Sequence, residues 1–230
     1  MLFGLHWDLS SNWAFTVSIL PILLHGLVIT VEATLLGALL SLLLGLGFAA
    51  LKSARWRALA WPSALLVEFI RDTPLLVQLY FLYFVLPRFG VSLPAFLTGT
   101  LALGIQYSAY TCEVYRAGIE AVPTGQREAA RALNLTRWLT YRDVILPQAV
   151  PRILPALGSY MVSLLKDTPV LSAVTILELL SVAKIIGDRT FRYLIPLSLV
   201  GALFLLLTLI MVWLIGRLER SLPREGVPLR

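Results

Sequence analysis

Four charged residues stand inside apolar stretches of the sequence, in two similar motifs. These are Arg71-Asp72-Thr73-Pro74 and Lys166-Asp167-Thr168-Pro169, each followed by aliphatic residues. A charge at the centre of a bilayer costs about 2.5–3.5 kcal/mol even on a lenient scale. If the apolar stretches cross a membrane, these side chains must pair, line water or lie near an interface. Two cations and two anions in one pocket would suit a zwitterion better than an apolar solute.

Each motif also contains a proline, which removes a helical hydrogen bond and pushes the preceding residue toward an extended conformation. Two broken apolar segments at corresponding places indicate a transporter with a site near the bilayer midplane. Two ordinary kinks that match by chance are the alternative. On a regular helix Arg71 is not expected to pair with Asp72, so we predict the cross-pairs Arg71–Asp167 and Asp72–Lys166. Glu68, one turn before Asp72, belongs either to the pathway or to the interface.

Composition explains why a membrane has to be considered. Of 230 residues, 58% are hydrophobic and 14% are charged, and the mean hydropathy is +0.83. A soluble domain has about 45–50% apolar and about 25% charged residues. This excess excludes a soluble enzyme, a nucleic-acid-binding module and a disordered chain.

The apolar runs predict an all-α integral membrane protein, since about 20 apolar residues cross the hydrocarbon as a helix. We expect one domain over residues 1–230, with spans at about 22–51, 58–86, 89–115, 153–183 and 193–216 and a polar loop at about 116–152. The second and fourth spans are the ones interrupted by charges.

Basic residues are distributed unequally between the two sides that five spans define. Thirteen fall on one side: Lys52, Arg55, Arg57, Arg116, Arg127, Arg131, Arg137, Arg142, Arg152, Arg217, Arg220, Arg224 and Arg230. Only four fall on the other: Arg88, Lys184, Arg189 and Arg192. The positive-inside rule therefore predicts an external N-terminus and a cytosolic C-terminus.

The sequence offers little material for metal or catalytic chemistry. Its one cysteine, Cys112, and its two histidines, His6 and His25, are too few for a metal site or a disulfide. The phosphate-binding pattern GxxxxGK[ST] is absent. We therefore predict no cofactor in this chain and no hydrolysis of ATP by it.

The polar loop is too organised to be a simple connector. Pro123-Thr124-Gly125 indicates a turn with Thr124 as a helix N-cap, and Glu128 lies early in the helix that follows. Asn134 tolerates the left-handed conformation that ends a helix. Thr136 is expected to cap a second helix, which Pro147 and Pro151 would stop.

Here the residues resemble a known family. Glu128-Ala129-Ala130, three residues, Asn134, nine residues and Val144-Ile145-Leu146-Pro147 resemble the EAA loop of ABC importer permeases. The stretches from Glu68 to Gln78 and from Leu164 to Thr168 are similar to the polar amino acid (histidine/glutamine/arginine-type) permeases. The resemblance extends over about residues 24–219.

This resemblance implies the type I ABC importer permease fold, with five transmembrane helices and a cytosolic coupling helix. It also implies two ATPase subunits that bind ATP and Mg, a second permease chain, an extracytoplasmic amino acid-binding protein, a bacterial inner membrane location and no nucleic acid. The substrate pathway would comprise Glu68, Arg71, Asp72, Gln78, Lys166 and Asp167. The ATPase-docking residues would be Glu128, Ala129, Ala130, Arg131, Leu133 and Asn134.

Three positions differ from the family pattern. Asn134 replaces a glycine of the loop, Asp72 replaces the glycine of Arg-Gly-Thr-Pro, and Pro169 replaces a serine. The last two fall in the inferred pathway and bear on which substrate is carried.

Three alternatives remain open from the sequence. The buried charges would also serve an ion- or proton-coupled secondary carrier, although five spans with a docking insert argue against it. A non-transporting membrane scaffold has no use for those charges. The basic loop helix would also suit a surface of anionic lipid, but lipid binding does not require the spacing from Glu128 to Pro147.

Overall fold

The computed structural model describes residues 7–221, and helices make up 86% of the structure, with no strand among the described residues. This confirms the all-α prediction. The long helices are α1 (Asn12–Lys52), α2 (Arg57–Asp72), α4 (Ala95–Glu120), α7 (Leu146–Asp167), α8 (Leu179–Thr190) and α9 (Leu194–Ser221). Short helices are α3 (Leu75–Tyr80), α5 (Thr124–Ala132) and α6 (Arg137–Leu139). His6, Arg224 and Arg230 lie outside the described residues.

Two sharp bends divide the predicted second and fourth spans. The axis turns by 103° between α2 and the segment Leu75–Phe89, and by 51° between Arg137–Val174 and α8. After α3 the chain continues through a π-helical turn (Phe81–Val85) and a 3-10 turn (Leu86–Phe89). A second π-helical turn (Thr140–Ile145) joins α6 to α7, and a 3-10 turn (Thr168–Val174) follows α7. The first break lies at Asp72-Thr73-Pro74, as the sequence predicted. At the second motif α7 ends at Asp167 and continues as a 3-10 turn, so the 51° bend comes later, between Val174 and Leu179, and not at the Asp-Thr-Pro motif.

α4 is the central helix, and it explains why the hydropathy of the helices does not by itself give five spans. Among the helices of residues 7–221, only α1 and α9 are long and apolar enough to cross a membrane alone. The number of spans rises to four if each bent pair counts as one. α4 is outside that set, and many of its polar side chains are buried: Thr98, Thr100, Gln106, Ser108 and Thr111. A helix enclosed by other helices needs no apolar surface for lipid, so the count of five stays a prediction.

Close backbone contact holds α1 against α4. A Cβ added to Gly45 would lie 1.9 Å from Thr111 Oγ1, whose hydroxyl donates to the carbonyl of Ser41 at 2.8 Å. Farther along, Lys52 and Glu113 form an ion pair, and the Lys52 side chain is only 8% exposed. Small residues in α1 therefore allow the two helices to approach closely.

α8 is fixed to the bundle at its first residue. Glu178, a charged residue within the predicted fourth span, is fully buried and accepts hydrogen bonds from the backbone N–H groups of Leu180 (2.8 Å) and Ser181 (2.6 Å). The Thr30 hydroxyl of α1 accepts from the N–H of Leu179 at 3.1 Å. These acceptors satisfy the donors that a helix start leaves free, so Glu178 acts as a helix cap.

Candidate functional site

A cavity of about 540 Å³ opens where the break after α2 and the last turns of α7 meet the middle of α4. α2 contributes its last residues and the loop before α3, while α7 contributes its last turns. The lining consists of Arg71, Asp72, Thr73, Pro74, Leu75, Gln106, Tyr107, Tyr110, Tyr160, Ser163 and Asp167. The two sequence motifs, which are far apart along the chain, thus contribute to one site.

The first motif ends α2 through its threonine and proline. The Thr73 hydroxyl donates back to the carbonyl of Phe69 at 2.7 Å, and Thr73 itself is extended, with φ −92° and ψ 129°. An extended residue before proline is the expected geometry. The Gln78 amide then donates to the carbonyls of Ile70 (2.8 Å) and Thr73 (3.1 Å), which satisfies backbone groups freed by the break. Gln78 therefore stabilises the break between α2 and α3. Its side chain also contacts Gln106.

The charges pair differently from the predicted cross-pairs, which are wrong for this chain. Arg71 Nη2 lies 3.1 Å from Glu68 Oε1, and Arg71 Nε lies 3.8 Å from Asp72 Oδ1. Glu68 is three residues earlier on the same helix and therefore nearby on its surface. The contact with Asp72 was not expected, but α2 ends at Asp72, so regular helical geometry does not continue there.

Asp167 instead has a tyrosine as its partner. The Tyr107 hydroxyl donates to Asp167 Oδ2 at 2.7 Å. Tyr110 stacks on Tyr160 with ring centroids 5.2 Å apart and meets Tyr107 edge-on at 5.8 Å. Three tyrosines therefore form one wall, between α4 and α7. These tyrosines were not predicted from the sequence, although two hydroxyl-bearing rings three residues apart in an uncharged span were an available signal.

Lys166 points to a different place from Asp167. It lines a separate cleft of about 430 Å³ between α7 and α9, together with Glu219. Adjacent residues on a helix diverge by about 100°, so the two charges of the second motif cannot both face one cavity. Of the six predicted pathway residues, Arg71, Asp72 and Asp167 line the cavity, whereas Glu68 and Gln78 contact its lining and Lys166 does neither.

A second feature, at the end of the bundle where α1 ends, is the short helix α5. Glu128, Ala129, Arg131, Leu133 and Asn134 are exposed there, and Leu133 is 73% exposed. Ala130 faces inward and is buried. Asn134 has a φ of 53°, which confirms the left-handed residue predicted after this helix.

The caps of this region were predicted with mixed success. Thr136 accepts from the N–H of Leu139 at 3.3 Å, as expected. Thr124 is not an N-cap, since Pro123 holds that position without a side-chain hydrogen bond. Pro147 and Pro151 do not stop a helix. Pro147 lies in the first turn of α7, where the backbone N–H that proline lacks would have no helical acceptor. Pro151 lies inside α7.

One ion pair in this region involves adjacent residues. Arg142 donates to both carboxylate oxygens of Asp143, at 2.7 and 3.0 Å. The guanidinium holds the pKa of the Asp143 carboxyl below its ordinary value. Both groups are exposed, so the pair contributes little to stability.

Comparison with known proteins identifies the chain. A bundle with two broken helices, a charged cavity at the breaks and an exposed connector helix at one end defines a solute permease of a membrane. Residues 41–224 match the family described as binding-protein-dependent transport system inner membrane component. The chain belongs to this family of ABC importer permeases, which form the pore in the inner membrane and are not catalytic.

Relatives and a solved structure agree with this assignment. The probable amino-acid ABC transporter permease protein y4tG of Sinorhizobium fredii is 58% identical, and the match covers all of both chains. The arginine transport system permease protein ArtQ of Bacillus subtilis is 32% identical over 92% of this chain and 97% of its own. A crystal structure of an amino acid ABC transporter with histidines superposes with a TM-score of 0.86 at 38% identity, covering 93% of this chain and 100% of that one.

Proposed function

We propose that this chain forms the translocation pathway through which an ABC importer takes up a polar amino acid. The observation that carries the proposal is the cavity between the break after α2 and the end of α7, where a guanidinium and two carboxylates share one space. An amino acid presents an α-carboxylate and an α-ammonium group. Arg71 offers a donor to the carboxylate, and Asp167 offers an acceptor to the ammonium. The names of two relatives, an amino-acid permease and an arginine permease, support the same class of substrate.

Partners complete the proposed transporter. The family implies an ATPase and a binding protein. We propose two ATPase subunits, which hold ATP and Mg, two permease chains (identical or sister) and an extracytoplasmic amino acid-binding protein. The ATPase would contact Glu128, Ala129, Arg131, Leu133 and Asn134 on the exposed side of α5, with buried Ala130 supporting that helix. No nucleic acid is expected as a partner.

Reconstituted transport tests this function. The permease and its ATPase would be placed in vesicles with the binding protein, and uptake of radiolabelled amino acids measured with and without ATP. Asp167→Asn should lower uptake about tenfold or more, because a hydrogen bond to a charged group contributes about 1.5–3 kcal/mol. Asp188→Asn is the matched control, since Asp188 is exposed, accepts from Tyr193 at 2.7 Å and lies outside the cavity.

Two results would contradict the proposal. Unchanged uptake in Asp167→Asn would remove this carboxylate from the pathway. Uptake that survives the loss of ATP and collapses with the proton gradient would favour the secondary carrier, which the comparisons do not support.

A further inference from the structure

A second cleft, of about 600 Å³, lies where α1, α4 and α5 meet. It is separate from the cavity of the proposed pathway and shares no lining residue with it. Its lining is Leu46, Ala49, Ala50, Ser53, Tyr115, Arg116, Ile119, Glu120, Arg127 and Tyr141. The lining is apolar at one end, and at the other end it carries two arginines, the Glu120 carboxylate and hydroxyl groups, so the cleft is amphipathic.

The cleft lies at the boundary between the membrane and water. Leu46, Ala49 and Ala50 belong to the last turns of the apolar run of α1, and that run ends at Lys52. Leu43 and Leu46 are 60% and 54% exposed, which is expected of side chains that face lipid. Beyond Lys52 the chain carries Arg55 and the exposed Trp56, residue types that favour a membrane interface.

The two arginines of the cleft are incompletely neutralised. Arg116 donates to Glu120 at 3.1 Å, and Arg127 donates to the carbonyl of Ile119 at 2.7 Å. Arg127 forms no ion pair with any described residue. The Nε atoms of both arginines are buried and have no hydrogen-bond partner within residues 7–221. The protein therefore leaves both guanidinium groups incompletely hydrogen-bonded, and both groups are half-buried and line the cleft.

We infer that this cleft binds the phosphate headgroup of an anionic phospholipid of the cytosolic leaflet. The phosphate would lie against Arg116, Arg127 and the Tyr141 hydroxyl, while an acyl chain follows Leu46, Ala49 and Ala50 of α1. A free phosphate would satisfy the arginines but leave the apolar end of the cleft without a ligand. A zwitterionic lipid would fill the apolar end without supplying a net negative charge.

The position of Arg127 gives the site a consequence for coupling. Arg127 is on α5, directly before Glu128 of the proposed ATPase contact. A lipid held between α1 and α5 would therefore fix the orientation of α5 relative to the bundle. The inference does not depend on which solute the permease carries, and its failure would leave the proposed function intact.

Native mass spectrometry of the purified permease–ATPase complex tests the site. Phosphatidylglycerol, phosphatidylcholine and inorganic phosphate would each be added, and bound molecules counted for wild type, for the double variant Arg116→Gln/Arg127→Gln and for Arg142→Gln. Arg142 is the matched control, because it is an exposed arginine of the same polar segment that lies outside the cleft.

Wild type should retain phosphatidylglycerol in preference to phosphatidylcholine. The double variant should bind it roughly thirtyfold more weakly, equivalent to about 2 kcal/mol for two basic residues near a charged lipid. Arg142→Gln should match wild type. The single variant Arg127→Lys should keep most of the affinity for phosphatidylglycerol, because it keeps the positive charge. That result would show that the weaker binding of the double variant reflects lost charge rather than misfolding.

Four outcomes would overturn the inference. Equal losses in Arg142→Gln and in the double variant would indicate general electrostatics without a built site. Equal binding of both lipids would remove the role of the arginines. Retention of inorganic phosphate as tight as that of phosphatidylglycerol, or no retention of lipid while the ATPase is bound, would assign the cleft to a free anion or to the protein interface.

Discussion

At the scale of single residues, the site depends on which way each side chain of a repeated motif points. Asp167 faces the cavity and is held by the Tyr107 hydroxyl, whereas Lys166 faces α9. Arg71 is partly neutralised by Glu68 from its own helix. The cavity lining therefore carries one cation and two carboxylates. Within residues 7–221, Asp167 is the one of these three groups whose side-chain hydrogen-bond partner is uncharged.

Removal of the tyrosine hydroxyl should weaken transport without removing a charge. Tyr107→Phe leaves Asp167 without the 2.7 Å hydrogen bond, so the carboxylate loses its fixed orientation. We expect about a tenfold fall in ATP-dependent uptake, measured in the reconstituted vesicles, since hydrogen bonds to charged groups contribute about 1.5–3 kcal/mol. Tyr193→Phe is the control: it removes an equally short bond to Asp188 outside the cavity. Similar uptake in the two variants would mean that Tyr107 has no positioning role.

At the scale of secondary-structure elements, two helix contacts make separate demands on the sequence. α1 and α4 need a glycine where their backbones approach, and α5 needs an exposed surface that another protein can reach. Neither demand is visible in hydropathy. Each requirement can be tested with a pair of variants in which a similar substitution is made inside and outside the proposed contact.

Gly45→Ala should destabilise the contact between α1 and α4, whereas Gly47→Ala should not. The new Cβ at residue 45 would lie 1.9 Å from Thr111 Oγ1 and 3.0 Å from the backbone N of Cys112, but at residue 47 it would meet nothing within 4 Å. Overpacking a filled contact costs about 1–3 kcal/mol. Thermal unfolding in detergent should show a lower Tm for Gly45→Ala and an unchanged or higher Tm for Gly47→Ala. An equal Tm for the two would contradict the close approach.

Glu128→Lys should abolish capture of the ATPase with little effect on membrane insertion. Glu128 is exposed on α5. A lysine in its place would repel a basic surface of the ATPase that pairs with the glutamate. Co-purification from detergent measures the result, with Asp143→Lys as control because Asp143 is an exposed carboxylate of the same polar segment. If both variants retain the ATPase equally, α5 is not the contact.

At the scale of the whole molecule, the proposed topology places the two ends of the chain on opposite sides of the membrane. The unequal distribution of basic residues supports an external N-terminus. The helix bends complicate the count, because α4 is too polar to pass a hydropathy test and the second and fourth spans are broken. Labelling of the intact protein is therefore a better test than any count of apolar residues.

A cysteine-labelling experiment can assign the sides. Cys112 is fully buried, so wild type should react poorly with a membrane-impermeant maleimide. Ser10→Cys, exposed just before α1, should react with the reagent added from outside the inner membrane. Ser221→Cys, at the end of α9, should react only after that membrane is opened. The reverse pattern would invert the topology, and reaction of both from outside would require an even number of spans.

The sequence by itself determined the class of protein, the helix break after α2, the end of α7 at the second motif and the connector helix with its left-handed Asn134. These features depend on local rules: apolar length, the geometry before proline, and a residue that tolerates positive φ. Only the tertiary structure decided which charges meet. Whether Arg71 pairs with Glu68 or Asp167, whether Lys166 shares the cavity, and that Tyr107 rather than a cation holds Asp167, all depend on how α2, α4 and α7 are rotated about their axes. That rotation is fixed by packing between helices distant in sequence, including the glycine contact of α1 with α4, which no local pattern specifies.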